Sequence, residues 1–223
     1  MDNQQDNQQE DKMDETTRKP DDDMGINVSG HILIRDKETG EELVNRRNSI
    51  HYGNMAFIVA QALNNRNDAY IHYMAFGNGA TSVDTTGRVV YKTPRVTEAF
   101  ESGANLYSRT YWKPISDTSS NLDSTTSNIE VIPGSNFTDI KCTCTLGFNE
   151  PDGQDIFDSS TTNEGDYIFD ELALFSFPSD TTLPTEEERI NTSTMLTHVI
   201  FHPVQKSTNR VIEIIYTVRV QLS

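Results

Sequence analysis

Little in this chain is basic, sulfur-bearing, or long and apolar. Against 34 Asp and Glu it carries only 18 Lys and Arg, for a formal charge of -16 and a pI near 4.6. That balance excludes free binding to nucleic acid, whose phosphates require a cationic footprint, and it disfavours an anionic membrane surface. The only two cysteines are Cys142 and Cys144 in "KCTCTL". Two apart on a strand, they project in parallel and too far apart for an unstrained disulfide, and no histidine lies nearby in sequence to complete a zinc site. Both read as small residues of a strand. No apolar run approaches the roughly 18 residues a spanning helix needs. The opening "MDNQQDNQQEDKMDETTRKPDDD" lacks the basic and apolar regions of a signal peptide, so the expected compartment is cytosol-like. Hydrophobic residues make up 35% of the chain, which is low for a globular protein. Long polar loops, or surfaces completed by partners, account for that.

Residues 1–23 hold nine Asp or Glu against three Lys or Arg. With almost nothing apolar to bury, such a segment cannot offset its ordering entropy and is expected to be disordered alone, or extended against a neighbouring subunit. The division expected is an acidic N-terminal arm over 1–24 and one β-rich domain over 25–223.

Within that domain, period-two patterning dominates. Ile26, Val28, Ile32 and Ile34 alternate, "KETGEE" turns around Gly40, and Leu43 and Val44 resume, which is a hairpin signal. "GNMAFIVAQALNN" places Met55, Val59 and Leu63 at helical spacing with Asn54 as cap, and gives the one short helix expected. An apolar run from Tyr70 to Phe76 reads as a buried strand ending in a glycine turn, Gly77 to Gly79. "RVVYK", "LYSRTYWKPI" and "IEVI" are strand candidates in the polar middle. In the second of these, Leu106 and Trp112 mark the core face, opposite Tyr107, Arg109 and Tyr111. "FTDIKCTCTLGF" puts Ile140, Cys142, Cys144 and Leu146 on one face. "YIFDELALFSF" is apolar on both faces, with Ile168, Leu172 and Leu174 opposite Phe169, Ala173, Phe175 and Phe177, as a central strand requires. In "LPTEEERI", Thr185 and Glu188 have the spacing of a capping box. The chain closes on "MLTHVIFHPVQKSTNRVIEIIYTVRVQLS", which reads as a terminal hairpin turning at "KSTN", with Pro203 at an edge or strand end. The expected fold is mainly β: an antiparallel sandwich or barrel-like domain.

Candidate chemistry resolves into structural readings. The Gly77–Gly79 turn lacks the Lys and hydroxyl residue that follow a phosphate-cradling loop. "NEPDGQD" reads as a turn on Pro151, Asp152 and Gly153, because its glycine position and missing downstream Glu do not fit a calcium loop. His198 and His202 share a strand face about 13 Å apart, beyond the reach of one ion. Carboxylate pairs such as Asp170 and Glu171 carry no signal in so acidic a chain, and sequons at Asn27, Asn136 and Asn191 follow from composition. No catalytic, cofactor-binding or metal-ligating residue is assigned, and no enzyme is expected.

Three stretches, "MAFGNGATSVDTTG", "FDELALFSF" and "MLTHVIFHPVQKSTNRVIEIIYTVRV", resemble a pattern recurring in virion structural proteins of tailed bacteriophages. In those tail, neck and baseplate-associated proteins, a glycine-containing segment precedes a strand with a Glu-Leu core and a terminal strand pair around a Pro and Lys. The resemblance spans roughly residues 70–223. It implies a β-rich building block of the virion, made in the host cytoplasm, which acts by contacts with copies of itself and other virion proteins. No cofactor, membrane or small-molecule substrate is implied. Two alternatives stand beside it. One is a capsid decoration or cement protein whose acidic arm lies on a neighbouring subunit. The other is a host-surface binding module that uses Tyr107 and Tyr111 as a carbohydrate platform.

Overall fold

The computed structural model describes residues 25–97, 104–116, 127–148, 150–151, 167–207 and 209–222. The acidic segment 1–24 and the turn at Asp152 and Gly153 lie outside them. In chain order the elements are β1 (Ile26–Asp36), β2 (Glu42–Arg47), β3 (Ser49–Ile50), α1 (Tyr52–Leu63), β4 (Ile71–Gly77), β5 (Thr81–Val83) and β6 (Val89–Tyr91). They continue as β7 (Arg109–Pro114), β8 (Ser127–Pro133), β9 (Phe137–Leu146), β10 (Tyr167–Ser176), α2 (Glu186–Ile190), β11 (Thr197–Lys206) and β12 (Ile212–Leu222). Two antiparallel five-stranded sheets form, in the orders β2-β1-β12-β9-β8 and β3-β11-β10-β4-β7, and β5 and β6 make a separate two-stranded ribbon.

The sheets face each other across one core, to which the first contributes Ile32, Ile34, Cys142, Cys144, Ile214 and Tyr216, and the second Met74, Phe76, Phe169, Leu172, Leu174 and Phe201. This is a β-sandwich, as the alternation in β9 and β12 predicts. The second sheet is covered on its outer face too, where Tyr73, Ala75, Ala173 and Phe175 pack against Leu106, Ile190, Met195 and Trp112. Coverage on both sides is why β4 and β10 are apolar at almost every position.

The β1–β2 hairpin forms as expected, with Gly40 in the left-handed region at φ 75. Asp36 stabilises its turn by accepting from the amides of Glu38 and Thr39. Those bonds, led by the Thr39 amide and joined by Arg210, hold the Asp36 carboxyl down at about 2. The capping box at α2 also forms: Thr185 Oγ1 accepts from the Glu188 amide, and the Glu188 carboxylate accepts from the Thr185 amide.

Four expectations are corrected. First, β11 and β12 are strands but not a hairpin, since β11 pairs with β10 and β3, whereas β12 pairs with β1 and β9. The chain crosses between sheets after Lys206, and the crossing is fastened by Arg210 Nε donating to Asp36 Oδ2 at 2.7 Å and by the Lys37 amide donating to Val211 O. Second, Phe169 lies in the central core with Leu172 and Leu174, not with Ala173 and Phe175. A register shift between Phe169 and Glu171 breaks the strict alternation there. Pro203 falls in the β11 stretch opposite that shift, a position where its missing N–H is tolerated. Third, α1 is capped by His51, whose Nδ1 accepts from the Asn54 amide, while Asn54 lies one turn inside and donates to Met195 O. Its buried face is Asn54, Met55 and Ile58, and Leu63 stands 85% exposed. Fourth, both faces of β7 are used: Tyr111 packs on the central core while Trp112 packs on the outer cluster.

Candidate functional site

The strand read as "FDELALF" buries two carboxylates, Asp170 and Glu171, which are 2% and 0% exposed. A buried charge is tolerated only when its oxygens are saturated with donors. Glu171 accepts from the amides of Gly79, Tyr107 and Ser108 and from His198 Nε2 at 3.0 Å. Asp170 accepts from the amides of Ala80 and Thr81 and from the Thr81 hydroxyl. Burial works to raise the Glu171 pKa, but the bonds from His198, Ser108 and Tyr107 outweigh it and hold the carboxyl below its ordinary value.

His198 is fully buried opposite Glu171. Its Nδ1 accepts from the Arg95 amide at 2.9 Å, so that nitrogen carries no proton and Nε2 is the one that donates to Glu171. Both ring nitrogens are thereby engaged. In this arrangement the pair joins chain segments and holds no ring nitrogen open to take a proton from a substrate.

The glycine turn is explained by the same junction. A Cβ on Gly77 would lie 2.5 Å from Glu171 Oε1 and from Ser108 O, and one on Gly79 would lie 2.7 Å from Ser108 Cβ. Glycine stands at both positions because the segment through Tyr107 and Ser108 crosses there at contact distance. Three segments distant in sequence, around residues 79–81, 95 and 107–108, are thus tied to β10 and β11.

The junction anchors the base of the β5–β6 ribbon, since Thr81 is the first residue of β5 and the Lys92 amide just beyond β6 donates to Ala80 O. The far turn of the ribbon is closed by Asp84, whose Oδ1 accepts from the Thr86 hydroxyl and from the Thr86 and Arg88 amides. Those bonds lower the Asp84 pKa. A ribbon anchored at its base and closed at its turn presents Val83, Val90 and Tyr91 at 68%, 48% and 48% exposure. A second apolar surface lies on β8, at the end of the first sheet. It pairs with β9 alone among the described strands and exposes Val131 and Ile132.

The remaining candidates separate in space. His202 is exposed beside the Tyr91 hydroxyl at 3.2 Å, while His198 is buried. Cys142 and Cys144 are free thiols in the central core, and burial pushes both up to about 12. Tyr107 lies under Lys92 and Arg95 with its ring centroid 5.9 Å from that of His198, whereas Tyr111 packs against Phe76, so the two do not form one platform. Among the described residues no group of three or more His, Cys, Asp or Glu is placed to hold a metal ion, and no helix is long and apolar enough to cross a membrane. Asp170 and Glu171 are the residues that sequence reasoning passed over. Two adjacent acids inside a strand apolar on both faces were the available signal, because such acids must be buried with donors. The chain matches no family model, no curated protein and no solved structure.

Proposed function

We propose that the chain is a virion structural protein of a tailed bacteriophage, acting by protein contacts at the neck, tail or baseplate as several copies around an axis. The supporting observation is the β5–β6 ribbon, with Val83, Val90 and Tyr91 exposed and its base held by the buried Asp170. Apolar side chains on a two-stranded ribbon lose water readily against a partner, and rigid anchoring lowers the entropy lost on docking. The side of β8 that no described strand pairs, beside the exposed Val131 and Ile132, offers backbone groups for strand pairing with a neighbouring chain. The sequence resemblance across residues 70–223 points the same way.

Quantitative mass spectrometry of purified particles tests the reading. The expected result is the chain at a fixed, ring-like stoichiometry. Copy number matching that of the capsid subunits would move the assignment to a decoration protein, and absence from the particles would overturn the virion reading altogether.

A further inference from the structure

A titratable acceptor fastens the ribbon on its exit side. The chain leaving β6 is held by the Lys92 amide on Ala80 O, by the Tyr107 hydroxyl on Thr93 O at 2.8 Å, and by the Arg95 amide on His198 Nδ1 at 2.9 Å. The first two acceptors are carbonyls, which keep their lone pairs at any ordinary pH. The third is a ring nitrogen that accepts only while the imidazole is neutral, because an imidazolium donates from both nitrogens. A proton on Nδ1 would meet the Arg95 N–H donor to donor, and that bond must open.

The charges around the ring decide whether the proton is welcome. On β10, Glu171 is ionised at neutral pH and as deeply buried as His198, so a neutral ring leaves the pair with a net negative charge out of water. A proton on Nδ1 cancels that charge while Nε2 goes on donating to Glu171 at 3.0 Å. Asp170 is a second carboxylate beside it on β10. Against the proton stand Lys92 and Arg95, both over the Tyr107 ring, whose centroid is 5.9 Å from that of His198. Arg46 reaches β11 at Ile200 O, the exposed His202 lies beside Tyr91, and β3 brings the uncharged Ser49 opposite His198. Glu171 is in hydrogen-bond contact with the ring, whereas the cations meet Tyr107, so the nearer charge prevails.

We propose that His198 is an acid-sensitive latch: a proton taken up at Nδ1 releases the Arg95 amide, and the chain leaving the ribbon loosens there while the Glu171 bond stays closed. The latch is a property of the isolated chain, so it stands or falls separately from the virion reading.

Nitrogen NMR of the His198 ring, combined with residue-resolved amide exchange on the full chain, tests it from about pH 8 to about pH 5, where imidazoles ordinarily titrate. Exchange rates are divided by the intrinsic rate at each pH. Arg95 should lose protection about fivefold or more as Nδ1 gains its proton, the equivalent of one lost hydrogen bond. Gly79, Tyr107 and Ser108, whose amides donate to Glu171, should keep theirs. The His198→Gln variant offers a donor toward Glu171 but no acceptor at the Nδ1 position, so its Arg95 amide should be unprotected at every pH. His72→Phe, which removes another buried imidazole, should leave the Arg95 change in place. Any one of four results overturns the proposal: Nδ1 unprotonated until the chain unfolds, Arg95 protection unchanged by the proton, loss of protection at all four amides together, or a pH-dependent loss at Arg95 that persists in His198→Gln. If that variant does not fold, the first three results decide the matter on the unaltered chain.

Discussion

The two five-stranded sheets differ in regularity. In the first, β12 keeps one register with β1 and one with β9, and only the β1–β2 pair shifts. In the second, β10 shifts against β11, β10 against β4, and β4 against β7. The fully buried acid, imidazole and ammonium groups follow that difference: Glu171, His198 and Lys206 are all 0% exposed and lie on the second sheet, whereas the first sheet buries the thiols of Cys142 and Cys144 and the Tyr216 hydroxyl, all three with pKa values raised by burial. Register shifts re-aim side chains and open sites for polar groups, which a strictly alternating strand sends to one face or the other. The regular sheet is therefore apolar support, and the irregular one is where loops and ribbon are tied down.

The largest expected effect strikes the irregular sheet. Glu171→Ala leaves His198 and the amides of Gly79, Tyr107 and Ser108 without their acceptor, at a cost of about 3–5 kcal/mol in denaturant unfolding. Amide exchange should quicken first at those three residues. Ile214→Ala in the regular sheet costs about 2–5 kcal/mol through cavity formation, and its exchange should quicken across both sheets together. If the two variants gave the same exchange pattern, the contrast between the sheets would fail.

Acid sharpens the same contrast. Burial pushes His72 down to about 4, against a partial upward pull from Glu186. As pH falls below about 6.5 the unfolded chain takes up this proton first, so stability drops until pH reaches about 4, by up to about 3 kcal/mol. Glu171 has the opposite charge but the same sign of effect. Its lowered pKa contributes stability above the ordinary carboxylate range, and that contribution disappears as pH falls through the folded value. Stability measured by urea titration from pH 7 to 4 should therefore decline, with a flatter slope in His72→Phe.

Smaller effects test the regular sheet and the surface. Cys142 and Cys144, raised to about 12 by burial, should react with a maleimide about tenfold or more slowly than in the unfolded chain. Equal rates would show that the first sheet opens freely. Val83→Ser with Val90→Ser should change unfolding free energy by only about 0.5 kcal/mol, yet reduce incorporation into particles. Unimpaired incorporation would remove the ribbon from the assembly contacts.

What was legible in the sequence was local. The capping box of Thr185 and Glu188 and the core face of β9 with Cys142, Cys144 and Leu146 depend on spacing within a few residues, and each forms as read. Partners were not legible, because period two tells which face of a strand is buried and not which strand lies beside it. Hence β11 and β12 looked like a hairpin although they join opposite sheets. Phe169 was misplaced because a register shift resets parity. Asp170 and Glu171 were overlooked because composition made acids appear uninformative, whereas their apolar surroundings were the relevant fact.

Cryo-electron microscopy of purified particles bears most directly on the central claim. The account predicts density for this chain in repeated copies, each with the β5–β6 ribbon buried against a neighbouring chain. Particles without the chain, or copies whose ribbon faces only solvent, would contradict it.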